Sequence, residues 1–331
     1  MKLTWLDPEH LDPRAVGGAV AVLEAARAVD APHLLPTTTS SFTVMLQHGW
    51  EAEPTLGAVL HDERDQVVAV LQVSLPTWDN RHVGQLDICV DPRLRRRGFG
   101  TMVYDAGVAR ARGEGRTVVL AESWDEPGGV AFAKRVGLER GSDEVQRQQD
   151  VLTLDWRGLD RAHEAAAELA RDYELLRMPG ATPEHMVGAV LELTRAINDA
   201  PIDALAIEDQ VFSPERLRAF DETQRRLGRR IYRVVARHRR TGAPAGHTIM
   251  AVDAEFPWHA SQYDTSVVRA HRGHRLGLLL KIAMLRWLQT EEPQVRTVST
   301  WNAASNDHMI GVNELLGYRV VANAIAWQRR V

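Results

Sequence analysis

The sequence predicts an α/β (α+β) chain made of two tandem copies of one strand-and-helix unit. Three observations predict it. The segment LDICVDPRLRRRGFGTMVYDAGVARARG at 86–113 is echoed by YDTSVVRAHRGHRLGLLLKIAMLRWLQ at 263–289. The landmarks around these segments recur in the same order. Apolar runs bounded by glycine and proline alternate with helical stretches throughout.

The repeat sets the boundaries. An aspartate stands three residues before a valine in each copy, as Asp87 before Val90 and Asp264 before Val267. Val90 and Val267 are 177 positions apart, and the closing glycines Gly137 and Gly317 are 180 apart. Each motif follows a proline and a tryptophan (Pro76 and Trp78, then Pro257 and Trp258) and precedes a strand ending at Trp124 or Trp301. The expected domains are therefore 1–158 and 159–331.

In the first copy the pattern predicts a helix over 13–29, strands over 55–61, 66–75 and 82–90, and a turn over 91–98. A helix over 98–112, a strand over 116–123, a helix over 128–136 and a last strand over 146–155 follow. VAVLQVSL is apolar almost without interruption, as a strand covered on both faces requires. The linker reads as helical over 162–172. The second copy gives helices over 183–198 and 213–227, then strands over 229–238, 245–253 and 260–268. A helix over 275–289, a strand over 295–301, a helix over 304–315 and a strand over 318–328 complete it. Thr241-Gly242 marks a hairpin turn whose neighbouring arginines read as solvated.

Composition narrows the function. A length of 331 residues, 44% of them hydrophobic, permits two real cores. The net charge of -4 gives no general signature of nucleic-acid binding. No apolar run reaches the roughly eighteen residues of a membrane span, and the N-terminus lacks a signal-peptide core. A cytoplasmic protein that binds neither membrane nor nucleic acid is expected, as a monomer or homodimer. The single cysteine, Cys89, excludes an internal disulfide and a cysteine metal cluster, and no metal-ligand spacing occurs. Between Ile88 and Val90 it reads as a packed strand residue rather than a nucleophile.

The run VDPRLRRRGFG at 90–100 is a strand, a loop and a helix start. Successive backbone N–H groups and a helix N-terminus there make an anion site suited to pyrophosphate. Gly98 and Gly100 permit close backbone approach. Arg95, Arg96 and Arg97 add positive charge.

This run resembles the acetyl-CoA loop of the GNAT N-acetyltransferase superfamily, Arg/Gln-x-x-Gly-x-Gly/Ala after a strand. Arg95, Gly98 and Gly100 match it. In RGHRLG at 272–277, Arg272 and Gly277 match and Arg275 replaces the first glycine. The resemblance covers nearly the whole chain. It implies two GNAT-type domains, each a mixed, mostly antiparallel sheet flanked by helices, with acetyl-CoA between two splayed strands. In the first copy the coenzyme contacts it implies are Cys89, Val90, Arg95, Arg96, Arg97, Gly98, Phe99, Gly100 and Thr101. In the second they are Val267, Val268, Arg272, Gly273, His274, Arg275, Leu276, Gly277 and Leu278. A backbone N–H near Val90 or Val267 would stabilise the developing oxyanion. The bases to consider are Asp87 and Glu122 in the first copy and Asp264 in the second, with a structural role equally open for the two aspartates.

Where many family members carry a tyrosine that protonates the leaving thiolate, this chain has Ala133 and Asn313. Asn306, Met309 and Asn313 recur at helical spacing, and with Asn302 they suit the amide-rich pantetheine arm. Asn302 reads equally as a helix cap, and His308 as a solvated residue. These polar groups favour the second copy as the catalytic half, with Asp264, Asn302 and Asn313 at its centre. The acidic run with Asp199, Asp203, Glu208 and Asp209 would attract a cationic amine or simply face water. Trp258 and Trp301 would wall the acceptor cleft or, more simply, pack in the core. The expected activity is acetyl transfer from acetyl-CoA to a primary amine of a small molecule. A peptide or protein amine as acceptor, and a non-catalytic acyl-CoA-binding or scaffolding protein, are the alternatives.

Overall fold

The computed structural model describes residues 1–331. The chain forms two compact units. The first comprises Met1–Asp143, Ile202–Asp209 and Asn323–Val331, the second Glu144–Pro201 and Gln210–Ala322.

The first half of the chain runs β1 (Lys2–Trp5), α1 (Pro13–Asp30), α2 (Thr39–His48), β2 (Leu56–His61), β3 (Val67–Ser74) and β4 (Val83–Val90). It continues with α3 (Phe99–Gly113), β5 (Val118–Trp124), α4 (Pro127–Arg135) and β6 (Glu139–Asp150). The second half runs α5 (Trp156–Leu169), β7 (Tyr173–Pro179), α6 (Val187–Arg195), α7 (Pro214–Arg226), β8 (Arg229–His238), β9 (Pro244–Asp253) and β10 (His259–Val267). It ends with α8 (Leu276–Glu291), β11 (Thr297–Ala303), α9 (Asp307–Leu315) and β12 (Arg319–Arg330). No helix is long and apolar enough to cross a membrane.

In the first unit the strand order is β1-β2-β3-β4-β5-β12. All neighbours are antiparallel except the parallel pair β4 and β5. Strand residues alternate between two cores. Leu60, Leu71, Val73 and Leu86 meet Val103, Tyr104 and Val108 of α3 on one face. Val59 and Val70 meet Val16 and Val22 of α1 and Phe42 and Leu46 of α2 on the other. Helix α1 starts where the Asp12 carboxylate accepts from the Arg14 N–H at 3.0 Å, with Pro13 at its first position.

In the second unit the order is β6-β11-β10-β9-β8-β7, and β10 and β11 form the parallel pair. Helix α8 buries Leu279, Leu280, Ile282 and Met284 against one face, with α5 beside it. Helices α6 and α7 cover the other face through Val190, Leu193 and Leu217.

Most predicted elements lie within two or three residues of their observed bounds. The strand expected to finish the first copy pairs instead with β11 of the second unit, from Thr297↔Asp150 to Ala303↔Glu144. The first unit is finished by the end of β12, from Ala324↔Trp124 to Arg330↔Val118, which buries Ile325 and Trp327 in its core. Either strand offers a ladder and an apolar face, so alternation in the sequence does not distinguish the two pairings. Three elements carried too weak a pattern to be predicted: β1, α2 and β7.

Candidate functional site

The parallel pair diverges in both units. In the first, pairing runs from Val83↔Val118 to Leu86↔Ala121 and stops. Asp87 on β4 and Glu122 on β5 are the next residues. In the second it runs from His259↔Thr297 to Ser261↔Ser299 and stops. On its other side β4 stays in register with β3 up to Ala69↔Val90. Strand β10 carries a bulge against β9 between Gln262 and Thr265, and Asp264 sits on it. A bulge bends the strand and re-aims its side chains. The Gln262 amide holds it, donating to the Ile249 carbonyl at 2.6 Å and to the Thr248 hydroxyl at 3.0 Å.

Backbone donors face each gap. Asp91 N–H donates to the Val68 carbonyl at 3.1 Å, and Val268 N–H to the Ala245 carbonyl at 2.9 Å. Antiparallel ladders alternate, so the N–H of the preceding residue, Val90 or Val267, is turned away from that neighbour and toward the diverging strand. The N–H of Val268 itself is engaged in the sheet and is not free to donate to a coenzyme.

Past each strand end comes a 3₁₀ turn, Pro92–Leu94 or Arg269–His271, and then the glycine-bearing loop. The two loops share a backbone signature. Arg96 has φ +67° and Gly98 +88°; at the equivalent positions Gly273 has +88° and Arg275 +55°. Each loop thus spends one glycine and one arginine on two left-handed residues, in opposite order. Arg275 keeps the loop shape rather than narrowing it. Left-handed residues between right-handed ones turn successive N–H groups into one concavity, and the helix N-terminus adds to it. A Cβ on Gly98, Gly273 or Gly277 would meet nothing within 4 Å, so these sites stand open for a ligand. Gly100 differs: a Cβ there would lie 3.2 Å from the Phe132 ring, so its lack of a side chain serves packing as well. Phe99, Leu276 and Leu278 send their side chains into the cores. What they offer an anion is main-chain N–H, as does half-buried Thr101. These donors fit a pyrophosphate, and hence acetyl-CoA.

The first arginine of each loop is paired with an aspartate and with the end of the strand. Arg95 donates from Nη1 to Asp30, the last residue of α1, at 2.8 Å and from Nε to the Val90 carbonyl at 3.4 Å. Arg272 repeats this with Asp199 at 2.5 Å and the Val267 carbonyl at 3.1 Å. Asp199 also accepts from Arg269 at 2.9 Å, and these cations hold its carboxyl below the usual range. The side chains of Arg96, Arg97 and Arg275 are exposed and His274 is half-buried, its ring 3.2 Å from the Leu169 carbonyl.

The carboxylates differ between the units. Asp87 is accessible to water yet enclosed by protein, which pushes its carboxyl up to about 6. Half-buried Asp264 is also raised by desolvation, opposed by the Arg233 cation. Arg233 is 2% exposed and donates to the Thr182 hydroxyl at 2.7 Å. Fully buried His247 lies in its field, with no partner on either ring nitrogen, and is pushed down to about 3 by desolvation and then by Arg233. Glu122 is exposed. Cys89 is half-buried with its thiol pushed up to about 12 by desolvation, which excludes it as a nucleophile.

The expected asparagine stripe is not a stripe facing the cleft. Asn306 caps α9, accepting from the Met309 N–H at 3.2 Å, and Met309 packs on the core. Asn313 has no exposed surface: its Oδ1 accepts from Lys281 at 2.6 Å and its Nδ2 donates to Asn302 at 2.8 Å. Asn302 is half-buried beside the diverging strands and does not cap α9. Lys281 was not foreseen, although a lysine inside LGLLLKIAML is a readable anomaly. The acidic run is dispersed. Asp199 serves the arginine staple. Asp203, Glu208 and Asp209 lie in Ile202–Asp209 of the first unit, where Asp203 accepts from the Ser142 hydroxyl at 2.9 Å. Trp258 and Trp301, read as cleft walls or as core residues, are 45% and 41% exposed, so neither packs in the core. His308 is exposed, as expected.

Residues 24–138 match the acetyltransferase (GNAT) family. A mycothiol acetyltransferase of Clavibacter sepedonicus is 30% identical over 151 residues, an alignment that spans 43% of this chain and 43% of that relative, under half of its length. A tandem GNAT protein from the clavulanic acid biosynthesis pathway superposes with a TM-score of 0.80 at 28% identity, covering 99% of this chain and 98% of that one. A GCN5-related N-acetyltransferase from Sphaerobacter thermophilus shares the fold at 13% identity, with a TM-score of 0.67 over 99% of this chain and 95% of its own. With its two splayed parallel pairs and two glycine-bearing loops, the chain has the tandem GNAT architecture, and residues 24–138 match the GNAT acetyltransferase family.

Proposed function

We propose that this protein is an acetyl-CoA-dependent N-acetyltransferase acting on a primary amine of a small molecule such as an amino sugar, an antibiotic or another metabolite, with the second unit catalytic. The observation that carries the reading is the bulge on β10, which lies at the divergence of the parallel pair and carries Asp264. The names of two relatives, a mycothiol acetyltransferase and a protein of clavulanic acid biosynthesis, support a small-molecule acceptor.

Bound acetyl-CoA supplies an acyl group activated as a thioester. The loop 272–275 and the first turn of α8 hold its pyrophosphate by main-chain N–H groups. The Val267 N–H faces the gap and stabilises negative charge developing on the acyl oxygen. Asp264 takes a proton from the attacking amine, directly or through one water. Desolvation raises its basicity, while Arg233 keeps the ionised form accessible. Neither Ala133 nor Asn313 is an acid, so the chain supplies no side-chain proton at that position.

Asp87 supports a second reading. It is the first residue past the divergence in the first unit, and its carboxyl is pushed up to about 6, which suits a base near neutral pH. Thiol release from acetyl-CoA with a panel of primary amines tests both. Loss in Asp264→Asn with activity retained in Asp87→Asn supports the second unit; the reverse moves catalysis to the first. Coenzyme binding without thiol release from any amine overturns the enzyme reading in favour of a scaffold.

A further inference from the structure

Lys281 is one of three lysines in the chain and the only charged residue among the first ten of α8, and it is 1% exposed. Taking an ammonium out of water costs several kcal/mol unless it is well solvated by protein. Its partners are few: the Asn313 Oδ1 at 2.6 Å and the face of the Tyr318 ring, 5.1 Å from Nζ. A methionine would fill the same space without a charge. Packing therefore does not explain the lysine, and its hydrogen bond does.

The bond fixes a direction. Lys281 donates to the Asn313 Oδ1, which leaves Asn313 to turn its NH₂ toward Asn302. Asn302 accepts with Oδ1 at 2.8 Å. Its own NH₂ is thereby committed to the outward side. Asn302 lies on β11 three residues past Ser299, the last residue paired with β10. Its side chain shares a face with Val298, which packs against α8, the helix whose first turn opens the loop. We infer that Lys281 is a positioning residue that, through Asn313, presents the Asn302 amide as a fixed hydrogen-bond donor to the amide-carbonyl-rich arm of an acyl-CoA lying between β10 and β11.

The first unit shows what the arrangement is not needed for. Tyr104 stands four residues after Gly100, as Lys281 stands four after Gly277. Ala133 takes the place of Asn313, and Asp125 follows Trp124 as Asn302 follows Trp301. Tyr104 is buried in an apolar core, with Arg329 donating to its hydroxyl at 3.4 Å. The same helix packs on the same sheet with no donor chain.

This inference rests on the reading that the second unit binds acyl-CoA. Calorimetric titration of the full chain with CoA and with 3′,5′-ADP, which lacks the arm, tests it. Lys281→Met weakens one class of CoA site about tenfold, leaves 3′,5′-ADP unchanged and does not lower the melting temperature. Asn313→Asp keeps the bond to Lys281 but removes the donor to Asn302, and gives the same selective loss. Lys281→Gln, which retains a donor, recovers part of it. Unchanged CoA affinity in Lys281→Met and Asn313→Asp overturns the positioning role, as does an equal loss of both ligands. A wild-type protein whose second unit takes up no CoA overturns this inference together with the reading beneath it.

Discussion

Arg272 donates to Asp199 at 2.5 Å, and Arg95 makes the same bond to Asp30 at 2.8 Å in the other unit. In each case Nε of the arginine also reaches the carbonyl that ends the strand, Val267 or Val90. The two aspartates lie in unrelated local sequences, one ending α1 and one ending the 3₁₀ turn Ala196–Asp199. The recurrence makes the pair a clamp that sets where the loop leaves the sheet.

Removing the clamp should loosen the loop rather than delete a phosphate ligand. Arg272→Ala and Asp199→Ala are each expected to weaken CoA at the second unit by about tenfold, with little change in fold, because the pair is partly solvent-exposed. Affinities measured for both variants and the double variant check this. A shared clamp gives a double variant no worse than either single one.

The loops themselves are tested by charge. Gly98→Glu and Gly277→Glu place a carboxylate where space is open and a phosphate is expected. Each should abolish binding at its own unit, read as loss of one site in calorimetry. Unchanged stoichiometry and affinity would refute the loop assignment.

The two aspartates separate by pH. A base must be ionised to work, so activity that depends on Asp87 should fall as pH drops through about 6. Asp264→Asn should lower turnover more than Asp87→Asn. Rate–pH profiles of both variants with a responsive amine decide this; the reverse order places the chemistry in the first unit.

Lys281 should tilt stability with pH. Burial lowers it from 10.5 to about 7, so between these values the unfolded chain holds a proton that the folded chain has released. Stability from this group therefore rises with pH across that window, and its cost is fully felt below about 7. Lys281→Met should stabilise the protein more at pH 6 than at pH 9.5, by several kcal/mol at the acid end. Urea unfolding of both proteins at the two pH values measures it; parallel curves would mean that Lys281 keeps its ordinary basicity.

Sequence reading reached the fold because its signals are local and repeated. A nearly continuous apolar run marked β3, apolar spacing marked α1 and α8, and the glycine turns at 95–100 and 272–277 marked where strand becomes helix. The site was half legible. The loop backbones were readable because glycine and arginine at fixed offsets announce a turn. The roles of Asn306 and Asn313 were not, because helical spacing tells which residues share a face but not what that face meets.

By itself the sequence determined the duplication, the strand-and-helix order and the glycine-bearing turns, since these depend on residues close along the chain. Only tertiary structure decided that β6 pairs into the second unit and the end of β12 into the first, that Arg95 and Arg272 bond to Asp30 and Asp199, and that Lys281 is linked to Asn302, 21 residues away, through Asn313. Those outcomes depend on which groups satisfy one another across the fold. A buried donor or acceptor takes the partner that geometry brings to it, and the order of residues does not name that partner.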